Sequence, residues 1–180
     1  MLRKIKDYFL CVLSALLLIL SFPIANLWIC AWVGFVPLFF AVEGKPPGKA
    51  FLLAYLVGVI FWLGAIYWLT NVTFIGMLLL SLYLALYFGL FGLIISVSSY
   101  LLSTTYYLLT IPALWVLLEY ARSHFLTGFG WALLGYSQSS NLPIIQIADI
   151  TGVYGVSFLL VMVNLLIYKL LKEKNKLSPV

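Results

Sequence analysis

Glu119 and Arg122 stand three residues apart in an otherwise apolar stretch, with the acid on the N-terminal side, the order in which a helical ion pair is most favourable. Either charge alone is costly near the end of a membrane helix, and pairing lowers that cost. Two uses fit: a clamp between this helix and its neighbours, or a lipid head-group site in which Arg122 meets phosphate. His124, the one histidine, follows two residues later with no nucleophile-and-base pairing evident, and reads as an interfacial polar residue. Asp149 reads as the cap of a last helix. Trp131, Tyr136 and Gln138 fall in the segment Thr127 to Gln138, where Gly128, Gly130 and Gly135 permit turns that a β-carbon would obstruct. The two rings carry one polar atom each, which suits a membrane and water boundary, so these residues could anchor in the head-group layer or line an acyl-chain entrance.

The rest of the chemistry is sparse. No second carboxylate is placed for acid and base work, no phosphate loop or metal cluster is evident, and no catalytic residue, cofactor or metal is assigned from sequence. Cys11 and Cys30 lie in apolar runs without CxxC spacing and read as small buried hydrophobes.

The elements that must position these residues are membrane helices. Sixty-five per cent of the 180 residues are hydrophobic and 8% are charged, which is outside the range of soluble globular chains. At about 20 apolar residues per crossing, the chain has room for an all-α integral membrane bundle of about six transmembrane helices forming a single domain over 1–180. The apolar runs predict spans near 8–21, 27–42, 50–69, 74–97, 107–124 and 152–171. The first two are short, with Pro23 in the turn between them and Pro37 interrupting the second, so they read as two crossings or as a tilted, partly re-entrant hairpin. The N-terminal run resembles a signal peptide without a cleavage site, hence an uncleaved first helix. Glu43 to Lys49, with two prolines and two glycines, is a loop. Ala54 and Gly58 present a small face for close packing, Pro112 falls in the first turns of the fifth span, and Trp62, Tyr67 and Trp68 form an aromatic belt. Ser98 to Thr105 reads as a hydroxyl-rich connection.

The net charge of +5 does not point to nucleic acid, because the basic residues sit at the chain ends and in one loop instead of a patch. With the N-terminus cytoplasmic and six crossings, Arg3, Lys4, Lys6, Lys45, Lys49, Lys169, Lys172, Lys174 and Lys176 share the cytoplasmic side, and only Arg122 is left outside. That bias predicts cytoplasmic termini and an external segment Phe125 to Thr151.

The order of landmarks resembles the apolipoprotein N-acyltransferase family. It runs from Ser21-Phe22-Pro23, Trp28, Ala31-Trp32 and Pro37-Leu38 through Gly58, Gly64 and Trp68-Leu69 to Pro112-Ala113-Leu114-Trp115 with Glu119 and Arg122. It is closest in Leu126-Thr127-Gly128-Phe129, Trp131 and Gly135-Tyr136-Ser137-Gln138, and resumes at Gly152-Val153-Tyr154-Gly155 and Ser157-Phe158-Leu159. Gly130 departs from the proline usual in the family. The resemblance implies a place in the bacterial inner membrane, phospholipid and lipoprotein as partners, and a membrane region that seats an external nitrilase-like domain with a Glu-Lys-Cys triad. Neither Cys11 nor Cys30 matches that nucleophile. The chain therefore reads as the membrane half of such a protein, from a split or truncated gene or completed by a separately encoded catalytic domain, and inactive by itself. The alternative is a non-enzymatic membrane scaffold that binds lipid or a partner.

Overall fold

The computed structural model describes residues 2–23, 25–101, 103–126 and 128–177, with the side chains of 2–4, 100, 104, 105 and 175–177 left aside. Thr127, and the side chains of Arg3, Lys4 and Lys176, thus lie outside the described set. Every regular element among the described residues is helical. The α-helices are α1 (Leu2–Leu20), α2 (Val36–Val42), α3 (Pro47–Ala65), α4 (Phe74–Leu101), α5 (Thr104–His124), α6 (Leu142–Ile145) and α7 (Ala148–Leu177), with 3-10 turns at Trp28–Trp32, Tyr67–Asn71 and Leu134–Gln138.

Polarity is inverted relative to a soluble bundle. Leu79, Leu82, Leu86 and Leu90 run down α4 at helical spacing on its uncovered side, while Ser81, Glu119, Arg122, Gln138, Ser157 and Asn164 are buried. An apolar exterior, with the polar side chains kept inside among an apolar core, is what a hydrocarbon solvent selects. Three segments, Pro47–Ala65, Phe74–Ser99 and Ala148–Lys174, are long and apolar enough to cross a membrane. The chain is an all-α membrane bundle, with shorter or more polar helices completing it.

Small residues set the closest contact. A β-carbon on Gly58 of α3 would lie 2.8 Å from Phe88 Cβ and 2.9 Å from Ala85 Cα of α4, and one on Gly92 would lie 2.6 Å from Ala50 O. The small face expected at Ala54 and Gly58 therefore lets two backbones approach, as in other membrane helix pairs. Phe35, Phe88 and Phe91 surround Trp115, with Phe35 and Trp115 ring centres 4.7 Å apart.

The second expected span is broken. Trp28–Trp32 is a 3-10 turn, α2 begins only at Val36, and the apolar helical stretch Trp28–Val42 falls short of the crossing length. Asn164 of α7 splints the break: its Nδ2 donates to Ala31 O at 2.8 Å, and its Oδ1 accepts from Phe35 N at 2.8 Å. Residues 31 and 35 are the pair that an unbroken helix would join directly, so the buried amide stands in for the missing backbone bond.

Other boundaries also moved. The hydroxyl-rich stretch is not a long connection, because α4 runs to Leu101 and α5 starts at Thr104. Ser99 Oγ donates to Ser96 O and Ser96 Oγ to Lys45 O, so these hydroxyls bond to carbonyls without ending the helix. The early start of α5 puts Pro112 well inside it, not in its first turns. Asp149 lies in the first turn of α7, ahead of a break at Gly152, whose φ of 65° and ψ of −178° belong to a region essentially confined to glycine.

Asp7, Glu43, Lys45, Lys49 and Lys172 gather at one end. Lys45 Nζ lies 2.5 Å and Lys49 Nζ 3.4 Å from Asp7 Oδ2, and Lys172 pairs with Glu43. Burial pushes the Asp7 carboxyl up, but the hydrogen bonds and charges of Lys45 and Lys49 outweigh this and hold it below the ordinary 3.8. Residues 125, 126 and 128–147 cover the opposite end, together with Tyr67 and Trp68.

Candidate functional site: a polar-anchored cap

The cap is built from the C-terminal end of α5 upward. After Phe125 the chain turns through Leu126 (φ 58°) and Gly128 (φ 69°), and it turns again at Ala132 (φ 51°). Left-handed backbone at leucine and alanine is uncommon and persists only where the surroundings enforce it. Arg122 provides that enforcement: Nη1 donates to Phe129 O at 2.6 Å and to Trp131 O at 2.8 Å. Its guanidinium also lies 4.8 Å from the centre of the Trp62 ring. One buried cation thus gathers two carbonyls of a turn and stacks on an indole beneath them.

Glu119 holds the next stretch. Its Oε1 accepts from Leu134 N at 2.7 Å at the start of the 3-10 turn Leu134–Gln138. The expected Glu119–Arg122 ion pair is not formed: the guanidinium bonds to Phe129 O and Trp131 O and the carboxylate to Leu134 N. Spacing on one helical face is compatible with pairing, yet both side chains find backbone partners in the loop above instead. They form a clamp that grips the cap, and at 2% and 4% exposure both side chains are buried.

Gln138 likewise anchors the cap. It is fully buried, its Oε1 accepts from Trp32 Nε1 at 3.0 Å, and its Nε2 donates to Trp28 O at 3.0 Å. Gln138 and Asn164 therefore grip the Trp28–Trp32 turn from the cap and from α7. Trp131 and Tyr136 are the candidates that remain uncovered, at 60% and 48% exposure. Trp131 packs against Trp68 with ring centres 5.2 Å apart, so the aromatic belt consists of Tyr67, Trp68 and Trp131, while Trp62 belongs to the interior. His124 is exposed, stacked on Tyr120 at 4.1 Å with Nδ1 2.9 Å from Tyr120 O.

The three glycines do different jobs. Gly128 uses its left-handed φ. Gly135 allows close approach: a β-carbon there would lie 2.5 Å from Val153 O, and Gly135 N donates to Ser157 Oγ at 2.9 Å. Gly130 has only ordinary contacts. Asn164 and Ser157 were missed from sequence; the available signal was an amide or hydroxyl facing inward in an apolar span.

A helical membrane bundle with an internally tethered cap and an aromatic outer rim defines the class. The model of the apolipoprotein N-acyltransferase N-terminal domain matches residues 14–166, and the chain belongs to that family. It is 41% identical over 183 residues to the apolipoprotein N-acyltransferase of Geobacter metallireducens, covering 93% of this chain and 34% of the relative. The enzymes of that name from Pasteurella multocida and Chlorobaculum tepidum are 31% and 34% identical, covering 94% of this chain in both cases and 34% and 33% of the relatives. The chain thus spans about a third of the length of these curated relatives.

Proposed function

We propose that this chain is the membrane part of an apolipoprotein N-acyltransferase-type protein of the bacterial inner membrane. It seats the catalytic domain on its external face and admits phospholipid and lipoprotein substrate from the bilayer. The observation that carries the reading is the division of labour in the cap: Glu119, Arg122 and Gln138 hold it from inside, and Trp131 and Tyr136 are left uncovered beside Trp68. Rigid aromatic rings of this kind suit the boundary where an acyl chain and its head group part. Acyl transfer itself belongs to the catalytic domain, and this chain contributes binding and positioning.

The termini are cytoplasmic and the cap is external in this reading, supported by the gathering of Lys45, Lys49 and Lys172 at the end away from the cap. Cysteines introduced at Ser139 and Ser178, with Cys11 and Cys30 replaced, should react with an impermeant thiol reagent from opposite sides. Reaction of both from one side would reject the orientation. Function is tested by a chimera in which this chain replaces the matching third of the Geobacter metallireducens relative, in a strain depleted of its own N-acyltransferase. Restored N-acylation of lipoprotein is expected. A chimera that inserts at normal level yet leaves lipoprotein unacylated would instead support a scaffold that binds lipid or a partner without serving catalysis.

A further inference from the structure

Three buried side-chain polar atoms among the described residues have no hydrogen-bond partner: Trp62 Nε1, Trp115 Nε1 and Glu119 Oε2. All three residues line one cavity enclosed by α1, α3, α4 and α5 beneath the cap. Its other walls are mostly apolar, including Phe35, Phe61, Leu84 and Phe88, the polar exceptions being Arg122 and Tyr87, whose hydroxyl pairs with that of Tyr83, and the space left has room for a water-sized molecule over about 20 Å³. A water needs about 10–15 Å³ by this measure and two to four polar partners.

The neighbours supply those partners only in part: Trp115 and Ser157 approach the Glu119 carboxylate, yet neither Trp115 Nε1 nor Glu119 Oε2 completes a bond at hydrogen-bonding geometry. Arg122 lies over the Trp62 ring, but a guanidinium offers only donors and cannot accept from an indole N–H. Glu119 Oε1 is already taken by Leu134 N, and that bond leaves Oε2 free on the cavity side. Trp115 and Glu119 are one turn apart on α5, so their polar atoms project from the same helical face. An orphaned indole N–H or carboxylate oxygen in a membrane interior is costly, and three orphans meeting at one cavity call for a common partner.

We propose that this cavity is a binding site for one internal water molecule, which accepts from Trp62 Nε1–H and Trp115 Nε1–H and donates to Glu119 Oε2. Two donors and one acceptor match the two lone pairs and one of the hydrogens of water, giving the three bonds typical of a buried water. The site joins α3 to α5 beneath the turn that Arg122 gathers. The proposal is independent of the functional reading above.

The test is nuclear magnetic resonance of the full chain in lipid nanodiscs with ¹⁵N-labelled tryptophan, its six indoles assigned through single Trp→Phe variants. Rotating-frame cross-peaks to water, of the sign that reports proximity rather than proton exchange, are expected at the indole protons of Trp62 and Trp115. Both should resist broadening by a soluble gadolinium chelate, because these residues are only 1% and 6% exposed. Absence of the water cross-peak at either indole, acyl-chain cross-peaks in its place, or broadening by the chelate would overturn the proposal. Glu119→Gln checks the third contact. It keeps an acceptor for Leu134 N but turns a donor toward a water that already accepts two bonds, so both cross-peaks should fall by about half or more. Unchanged peaks in a folded variant would remove Glu119 from the site, and if the variant does not fold, the wild-type spectra decide alone.

Discussion

Replacing Asn164 by leucine tests how the broken second helix is held. The substitution keeps an apolar side chain of similar size at a fully buried position but strands Phe35 N and Ala31 O, which the amide bridges at 2.8 Å each. The third bond, Nδ2 to Leu160 O, returns to the side chain's own helix, and its loss adds little. A stranded buried backbone group costs about 1–3 kcal/mol, while hydrogen bonds between membrane helices average about 0.6 kcal/mol because the unfolded chain finds other partners. Two stranded groups therefore place the loss at about 1–4 kcal/mol. The assay is reversible unfolding by sodium dodecyl sulfate in mixed micelles, with Ser14→Ala as comparator, since Ser14 Oγ serves a single carbonyl, Gly34 O. Asn164→Leu should be less stable than wild type and clearly less stable than Ser14→Ala. An Asn164→Leu variant within about 0.3 kcal/mol of wild type, inside the usual error of such differences, would refute the splint.

Three further outcomes follow from the same contacts. Arg122→Met should destabilise the fold by about 3 kcal/mol, since two charge-assisted bonds to the cap are lost. Adding Glu119→Gln should not rescue it in the same unfolding assay, whereas rescue would mean that the two charges pair after all. Gly135→Ala should cost about 1–3 kcal/mol and expose the cap to protease, because its β-carbon would press on Val153 O; wild-type resistance to cleavage would sink that packing argument. Asp7 has a depressed pKa when folded, so its contribution to stability is present above the ordinary 3.8 and is lost as pH falls through the folded value. Asp7→Asn should therefore weaken the protein by about 1 kcal/mol near neutral pH and converge with wild type in acid; a gap between the two that persists in acid would show that Asp7 acts through something other than its charge.

Sequence made the bundle legible wherever one face of one helix carries the signal. The Ala54 and Gly58 face appears where it was read, whereas the loop expected over Glu43 to Lys49 is cut short, because α3 already begins at Pro47, a residue suited to a first helical turn. The region from Thr127 to Gln138 was recognisable as the polar, turn-rich feature of the chain, but the roles within it were not. Gln138 and Trp131 are both amphipathic residues of one loop, and periodicity has no meaning there. Only the fold reveals that the Trp28–Trp32 turn lies next to Gln138 and that Trp131 points outward. Glu119 and Arg122 were read as partners because helical spacing records neighbours on the same helix, and it carries no information about a loop folding back over the helix end. Asn164 was invisible for a related reason: its partners are the ends of a helix break more than a hundred residues earlier.

The most direct test of the central reading is the paired replacement of Trp131 and Tyr136 by alanine in the chimera that carries a catalytic domain, with lipoprotein N-acylation followed by mass spectrometry. Both side chains are largely uncovered, and the buried tethers of the cap do not use them, so membrane insertion and protein level should stay normal. Acylation should slow by about tenfold, equivalent to about 1.4 kcal/mol of lost substrate interaction. Acylation at the wild-type rate in a normally inserted double variant would contradict a substrate-side role for this cap.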